Sequence, residues 1–305
     1  MSKILITGGS GMVGRSLKEF MPDALYISSK DCDLTNPIET ELLLKDYRPN
    51  LIIHLAAKVG GIMDNISKPA EYFDDNIMMN TTLLSLAHKY CVERFIGVLS
   101  TCIYPDKVNE YPMKEEVIHL GPPTPTNFSY AYSKRCLAVQ IEAYNKQYGT
   151  KYQYLIPCNL YGEHDKYGDN SHFVAALIKK IHNAKVSDNN KITLFGTGKP
   201  LRQFMHSNDL AMIIKRCIDE EIYDNFNIAT KENISIDEIA RIALKGCDAE
   251  HIEIEYDSTK PDGQYRKDVD ITKLKTLFPS FENTKLEDGI RKVYTNIFKN
   301  VKTLA

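Results

Sequence analysis

No stretch of this sequence approaches the ~18 consecutive apolar residues that a membrane-spanning helix requires. No signal-peptide pattern opens it either: Met-Ser-Lys leads straight into a short strand-like run, so the expected location is the cytoplasm. Charge of one sign is also scarce. Lys and Arg number 38 against 40 Asp and Glu, a net charge of −2, which excludes a bulk attraction to nucleic acid or anionic lipid and leaves any anionic ligand to local cations. The 7 cysteines are scattered and odd in number, with no C-x-x-C pair. That excludes a disulfide framework and a zinc knot, so no metal is expected, and it fits a reducing compartment. Internal repeats and low-complexity linkers are missing as well. What remains is ordinary globular composition, 43% apolar and 26% charged, over 305 residues, enough for one large domain or two moderate ones.

The apolar residues come in short runs. K-I-L-I-T (Lys3 to Thr7), A-L-Y-I, L-I-I-H-L (Leu51 to Leu55), R-F-I-G-V-L (Arg94 to Leu99) and Y-Q-Y-L-I-P (Tyr152 to Pro157) are nearly continuous in apolar character. That is the mark of strands buried on both faces of a parallel sheet. Helical segments separate them. One opens at Asn36, with Pro37 at its first position and Glu39 placed for a capping box. Others run from about Tyr72 to Tyr90 and from Tyr130 to Tyr148, the last stopping at Gly149. The alternation predicts βαβ units and an α/β, Rossmann-type doubly wound parallel sheet. After about residue 160 the rhythm breaks, in Y-G-E-H-D-K-Y-G-D-N-S-H (Tyr161 to His172). The expected division is a cofactor-binding domain of residues 1–160 plus about 204–229, and a smaller α/β cap of about 161–203 plus 230–305 that binds substrate.

T-G-G-S-G-M-V-G (Thr7 to Gly14) follows the first strand and opens a helix. Glycine permits a sharp turn and close approach to a pyrophosphate, and the helix N-terminus offers free N–H groups and its positive dipole end. In this position the pattern predicts a dinucleotide site, with Gly8, Ser10, Gly11, Met12, Val13 and Gly14 as cofactor ligands. The second strand ends in I-S-S-K, without the carboxylate that binds a ribose 2′-hydroxyl. Lys30 is placed to meet a 2′-phosphate, which favours NADP over NAD, and Asp33 is placed to reach the adenine.

S-Y-A-Y-S-K carries Tyr130 and Lys134 four apart at a helix start, so both lie on one face. Tyr132 lies on another. An ammonium stabilises a nearby phenolate, so Lys134 is expected to lower the Tyr130 pKa and make the phenol a usable general acid for a carbonyl receiving hydride. Lys134 can also hydrogen-bond the nicotinamide ribose.

With these motifs the sequence resembles the extended short-chain dehydrogenase/reductases, and within them the GDP-L-fucose synthase family of GDP-4-keto-6-deoxymannose epimerase–reductases. H-L-A-A-K-V-G-G (His54 to Gly61), S-T-C-I-Y-P (Ser100 to Pro105), P-T-N-F-S-Y-A-Y-S-K, N-L-Y-G-E-H-D and N-S-H carry the resemblance, in order and at similar spacing. It implies a reductase triad of Ser100, Tyr130 and Lys134, an epimerase pair of Cys102 and His172, and cofactor contacts from Leu55, Ala56 and Ala57. A C4 ketone acidifies the hydrogens at C3 and C5. A thiol suits the base that removes one, and an imidazole suits the acid that returns it on the other face. F-G-T-G-K-P-L-R and P-D-G-Q-Y-R-K resemble stretches that hold a sugar-nucleotide diphosphate, which implies Arg202 and Lys267 as its ligands, with Asn159 nearby. The expected activity is NADPH-dependent C4 reduction of a GDP-4-keto-6-deoxy sugar coupled to C3/C5 epimerisation. Two alternatives stay open: C4 reduction alone, on a GDP-4-keto-heptose, and a non-catalytic NADP(H) sensor. Relatives pair the helices near Tyr72–Tyr90 and Tyr130–Tyr148 between two copies, so a homodimer is expected.

Overall fold

The computed structural model describes residues 3–168, 171–260 and 262–299. Its centre is a six-stranded, all-parallel sheet. In chain order the chain forms β1 (Ile4–Thr7), α1 (Met12–Phe20), β2 (Leu25–Ile27), α2 (Pro37–Tyr47), β3 (Leu51–His54), α3 (Ile62–Ser67), α4 (Pro69–Lys89), β4 (Arg94–Val98), α5 (Phe128–Tyr148) and β5 (Lys151–Pro157). Every residue of β3 and β4 is buried, as their unbroken apolar runs require. A late strand, β10 (Phe226–Ile228), completes the sheet in the order β10-β5-β4-β3-β1-β2. Strands β2 and β3 lie on opposite sides of β1, so the order reverses there. A crevice at the carboxyl ends of β1 and β3 is the geometric consequence.

The helix boundaries follow local chemistry. The Asn36 side chain accepts hydrogen bonds from the N–H groups of Ile38 and Glu39, and Pro37 takes the first turn of α2. Glu39 bonds the Asn36 side-chain amide and the Asp33 N–H, not the cap residue's own N–H that a full capping box uses. α4 begins at Pro69, ahead of the expected Tyr72, because proline is well suited to a helix's first position; the short α3 before it was not foreseen. α5 ends as expected at Gly149, which adopts φ +66°.

Between β5 and β10 lie β6 (Asn159–Tyr161), α6 (Phe173–Val186), β7 (Lys191–Phe195), β8 (Leu201–Arg202), β9 (Phe204–His206) and α7 (Ser207–Asp219). After β10 come β11 (Ile234–Ser235), α8 (Ile236–Gly246), β12 (Glu253–Asp257), α9 (Thr272–Leu277) and α10 (Leu286–Tyr294). A second apolar core joins α6, α8 and α10 with β7 through Leu177, Ile178, Ile192, Ile239, Ala243 and Ile290. Val269, Leu274 and Phe278, which the expected boundary gives to the smaller unit, pack in the sheet's core instead. Short strand pairs β6–β9, β8–β11 and β7–β12 stitch the second half together. Among the described residues no helix is long and apolar enough to cross a membrane.

Candidate active site

The glycine turn is built for close approach. Gly8 has φ +69°, and a Cβ there would lie 2.8 Å from the Ala56 backbone nitrogen. A Cβ on Gly14 would lie 2.6 Å from the Gly8 carbonyl oxygen, so only glycine lets α1 start this close to β1. No side chain caps α1, and the N–H groups of Met12, Val13 and Gly14 have no partner within the helix. They are therefore available to a phosphate, while Ser10 and Gly11 form the exposed rim. Across the crevice, Thr7 and His54 join the two strand ends. The Ala56 N–H donates to Thr7 Oγ at 3.2 Å, Thr7 Oγ lies 2.8 Å from His54 Nδ1, and His54 Nε2 lies 3.0 Å from Asn80 Oδ1. Burial, with Lys134 adding, holds His54 down to about 3, so it is neutral. That chain sets Leu55, Ala56 and Ala57 at the carboxyl end of β3. Gly14→Ala is expected to destabilise the fold by about 1–3 kcal/mol through overpacking and to weaken NADP binding, read by thermal melts with and without cofactor. A melt and an NADP response equal to wild type would contradict the close-packed turn.

At the end of β2 the structure corrects the sequence reading. Asp31 folds back so that its Oδ2 accepts from the Ser28 N–H at 2.8 Å and the Ser28 hydroxyl at 2.7 Å. A carboxylate is therefore present, tied to the turn, and the Ser28 hydrogen bonds hold it below its ordinary pKa. Lys30 is exposed beside it. Asp33 uses one carboxylate oxygen on the N–H and hydroxyl of Thr35, an Asx turn before α2.

Ser100 and Cys102 stand just beyond β4; Tyr130 and Lys134 stand on the first turns of α5. The Lys134 ammonium is 2% exposed and donates to the Val98 carbonyl at 2.9 Å, tying the helix to the strand. Its nitrogen lies 6.0 Å from the centre of the Tyr130 ring. The Cys102 N–H donates to Ser100 Oγ at 3.3 Å, which leaves the serine hydroxyl proton free for a ligand. The expected lowering of the Tyr130 pKa is overturned: burial raises the phenol well above its ordinary value, with Cys102 and Tyr72 adding. Desolvation of the phenolate sets the direction, so the phenol is held in its proton-donating form. Burial also brings Lys134 down to about 8, against a smaller opposing effect of Cys102. Lys134 therefore loses its proton as pH rises through about 8. The expected outcome is a kcat/KM, with NADPH as the varied substrate, that falls above that pH. A flat profile from pH 7 to 9 would contradict it.

Cys102 is buried and lies within electrostatic reach of Tyr130, Lys134 and Lys267 alike. Lys267 is in turn coupled to Arg202. Four of the residues singled out in the sequence thus share one electrostatic neighbourhood with Arg202. Burial pushes down the pKa of both Lys267 and Arg202, and among the described residues neither forms an ion pair. Asp262 and Asp106 offset the burial of Arg202 and Lys267 only in part, and two desolvated cations without a direct ion pair suit an anion. Asn159 is committed through its amide to the Gln203 carbonyl, at 3.0 Å, where it ties β6 to the strand beside it. Sequence reasoning missed Arg135. This buried guanidinium donates to the Ile103 and Gly121 carbonyls and so clamps the turn bearing Cys102 onto α5; its adjacency to Lys134 was the only signal.

His172 caps the start of α6, and its Nδ1 lies 3.0 Å from Asp165 Oδ1. Its other motif partner, Asn170, lies outside the described residues, as does Pro261 of the second basic stretch. The turn carrying Asp165 is anchored by Glu163, whose carboxylate lies 3.1 Å from both buried His206 and Lys292. Burial alone would raise the Glu163 pKa, but His206 and Lys292 bring it down to about 2. E-H-D in the sequence hinted at a polar cluster; the partners on α10 and β9 were invisible there.

Comparison with known proteins agrees with this geometry. A sequence model of the NAD dependent epimerase/dehydratase family matches residues 4–229. A GDP-L-fucose synthase of Dictyostelium discoideum is 36% identical over 98% of this chain and 96% of its own length. The crystal structure of a GDP-L-fucose synthetase from Naegleria fowleri bound to NADP superposes with a TM-score of 0.88, at 32% identity, covering 99% of this chain and 94% of that one. A GDP-6-OMe-4-keto-L-xylo-heptose reductase from C. jejuni also superposes at 0.88, covering 100% of this chain and 98% of that one, but at 23% identity it shares the fold alone.

Proposed function

The chain belongs to the NAD dependent epimerase/dehydratase family, and from that premise we propose that it is an NADPH-dependent C4 reductase of a GDP-4-keto-6-deoxy sugar that also epimerises C3 and C5. The observation that carries the reading is the shared neighbourhood of Cys102, Tyr130, Lys134 and Lys267, which supports one carbonyl site serving both reactions. The close-approach glycines and the uncapped start of α1 fit a dinucleotide, held by Gly8, Ser10, Gly11, Met12, Val13 and Gly14 with Leu55, Ala56 and Ala57 opposite and Lys30 and Asp33 at the adenosine end. When bound, NADPH supplies the hydride. Ser100 and Tyr130 polarise the ketone, and Lys134 orients the nicotinamide ribose. Cys102 removes the proton next to the polarised ketone and His172 returns one on the opposite face, while Tyr130 donates to the oxygen during reduction. Arg202 and Lys267 bind the diphosphate, with Asn159 at its margin.

Incubation with GDP-4-keto-6-deoxymannose in deuterium oxide tests the assignment. Deuterium entering C3 and C5 without NADPH, followed by NADPH oxidation when it is added, is the expected result. NADPH oxidation without exchange would leave the C4-reductase reading, and no consumption at all would overturn both.

The active unit is a homodimer. Exposed Phe73 and Met78 on α4 and Tyr132 and Val139 on α5 supply an apolar face on two helices already packed together. Val139→Glu is expected to convert a dimer to a monomer in sedimentation velocity; a monomeric wild type would contradict the proposal. The 7 free cysteines support a reducing compartment, the cytoplasm. The division into a cofactor-binding sheet unit and a substrate-binding cap accounts for the two apolar cores.

A further inference from the structure

We infer that Asp165 is a positioning residue for the epimerase reaction: it holds the His172 imidazole by its Nδ1 edge and keeps it protonated, leaving Nε2 as the proton-delivering atom. The inference rests on the proposed role of His172, which it deepens.

The geometry makes the case. A carboxylate can only accept, so the 3.0 Å contact requires the hydrogen to sit on His172 Nδ1. The titrating position is then Nε2. Asp165 is itself fixed. Its side chain is 3% exposed, whereas that of His172 is 50% exposed. Its N–H donates to the Gly162 carbonyl at 3.2 Å, and its Oδ1 also accepts from the Lys166 N–H at 2.8 Å. Its Oδ2 is buried with no partner among the described residues. A carboxylate withdrawn from water with half its acceptors unmatched needs a cation, and His172 is the group in contact with it. The pair is thus an anchored, dry anion facing a wet imidazole, which fits a proton relay to a bound ligand better than a packing contact.

The charged surroundings of His172 pull in both directions. Its position at the start of the 14-residue α6 sets it against the positive end of a helix dipole, which disfavours imidazolium. Lys166 on the neighbouring loop acts the same way, and burial adds to them; the Asp165 hydrogen bond outweighs them and raises His172 above its ordinary value. Without Asp165 the imidazole would be mostly neutral at pH 7 and would lack the proton to return.

The test is a histidine titration by nuclear magnetic resonance on the whole protein, with His172→Gln identifying the signal. In wild type the His172 ring is expected to titrate above about 6.5, the model-peptide value. In Asp165→Asn it is expected to fall by about 1 unit or more, as loss of a close opposite charge requires. The rate of deuterium entry at C3 and C5, measured without NADPH at pH 7.5, is expected to fall several-fold in Asp165→Asn, about ten-fold being the limit of the change in protonated fraction for one unit. It should recover as pH is lowered. A wild-type His172 titrating at or below the ordinary value, or a variant with an unchanged pKa and an unchanged pH profile of exchange, would overturn the inference. If Asp165→Asn fails to fold, the wild-type titration alone still decides. Absence of exchange in wild type at any pH would instead overturn the epimerase reading, and the titration would still report on the pair.

Discussion

Tyr130→Phe is expected to reduce NADPH-dependent ketone reduction by about 10²–10⁴-fold, the usual contribution of a positioned general acid, while NADP binding stays close to wild type. The phenylalanine ring keeps the packing surface beside the Lys134 ammonium, and Lys134 keeps its bond to the Val98 carbonyl. What disappears is a single proton donor that burial holds in its neutral, donating state. Stopped turnover together with retained NADP affinity, measured by NADPH oxidation and by fluorescence titration of the cofactor, would identify the phenol as the acid. Wild-type turnover would sink that assignment, and it would favour the sensor alternative in which cofactor binding matters and proton transfer does not.

Cys102→Ser is expected to abolish deuterium entry at C3 and C5, by about 10²–10⁴-fold, with NADPH oxidation continuing on the unepimerised ketone. A serine hydroxyl is a far weaker acid than a thiol, so its conjugate base is not available near neutral pH. Cys102 lies within electrostatic reach of Lys134 and Lys267, and Arg135 clamps the turn that carries it. The substitution keeps nearly the same shape in a buried place, so a stability loss is not the expected readout. Product analysis separates the two reactions, because reduction without epimerisation gives a different stereoisomer. Exchange at the wild-type rate in the variant would remove Cys102 from the base role, and equal loss of both reactions would mean that the two share more than a carbonyl site.

Much of the architecture was legible because it is written in local patterns. The apolar runs at Leu51–Leu55 and Arg94–Leu99 needed two-sided burial, and the glycines at 8, 11 and 14 followed a strand and opened a helix. Tyr130 and Lys134 had to share a face at four-residue spacing. The misses were also physical. Asp31, just past I-S-S-K, was not singled out, because a turn that folds a carboxylate onto Ser28 depends on backbone direction after the strand. Asp165 was one polar residue in a polar loop. Its pairing with His172 depended on the fold of the intervening segment, and its anchoring on Glu163 held by His206 and Lys292 from distant elements. The Tyr130 shift was read with the wrong sign, since helix spacing reports the neighbouring ammonium but not how little water reaches the phenol.

By itself, then, the order of residues determined the parallel sheet, the phosphate-facing turn and the face of α5 that bears the Tyr–Lys pair, because each depends on periodicity, glycine stereochemistry or spacing within a few residues. Closure of the chain decided the rest: which acids and bases are dry, how Arg202 and Lys267 come to be desolvated close to each other, and which carboxylate steadies His172. Desolvation and long-range charge coupling act through space between segments far apart in sequence, and only packing brings those segments together.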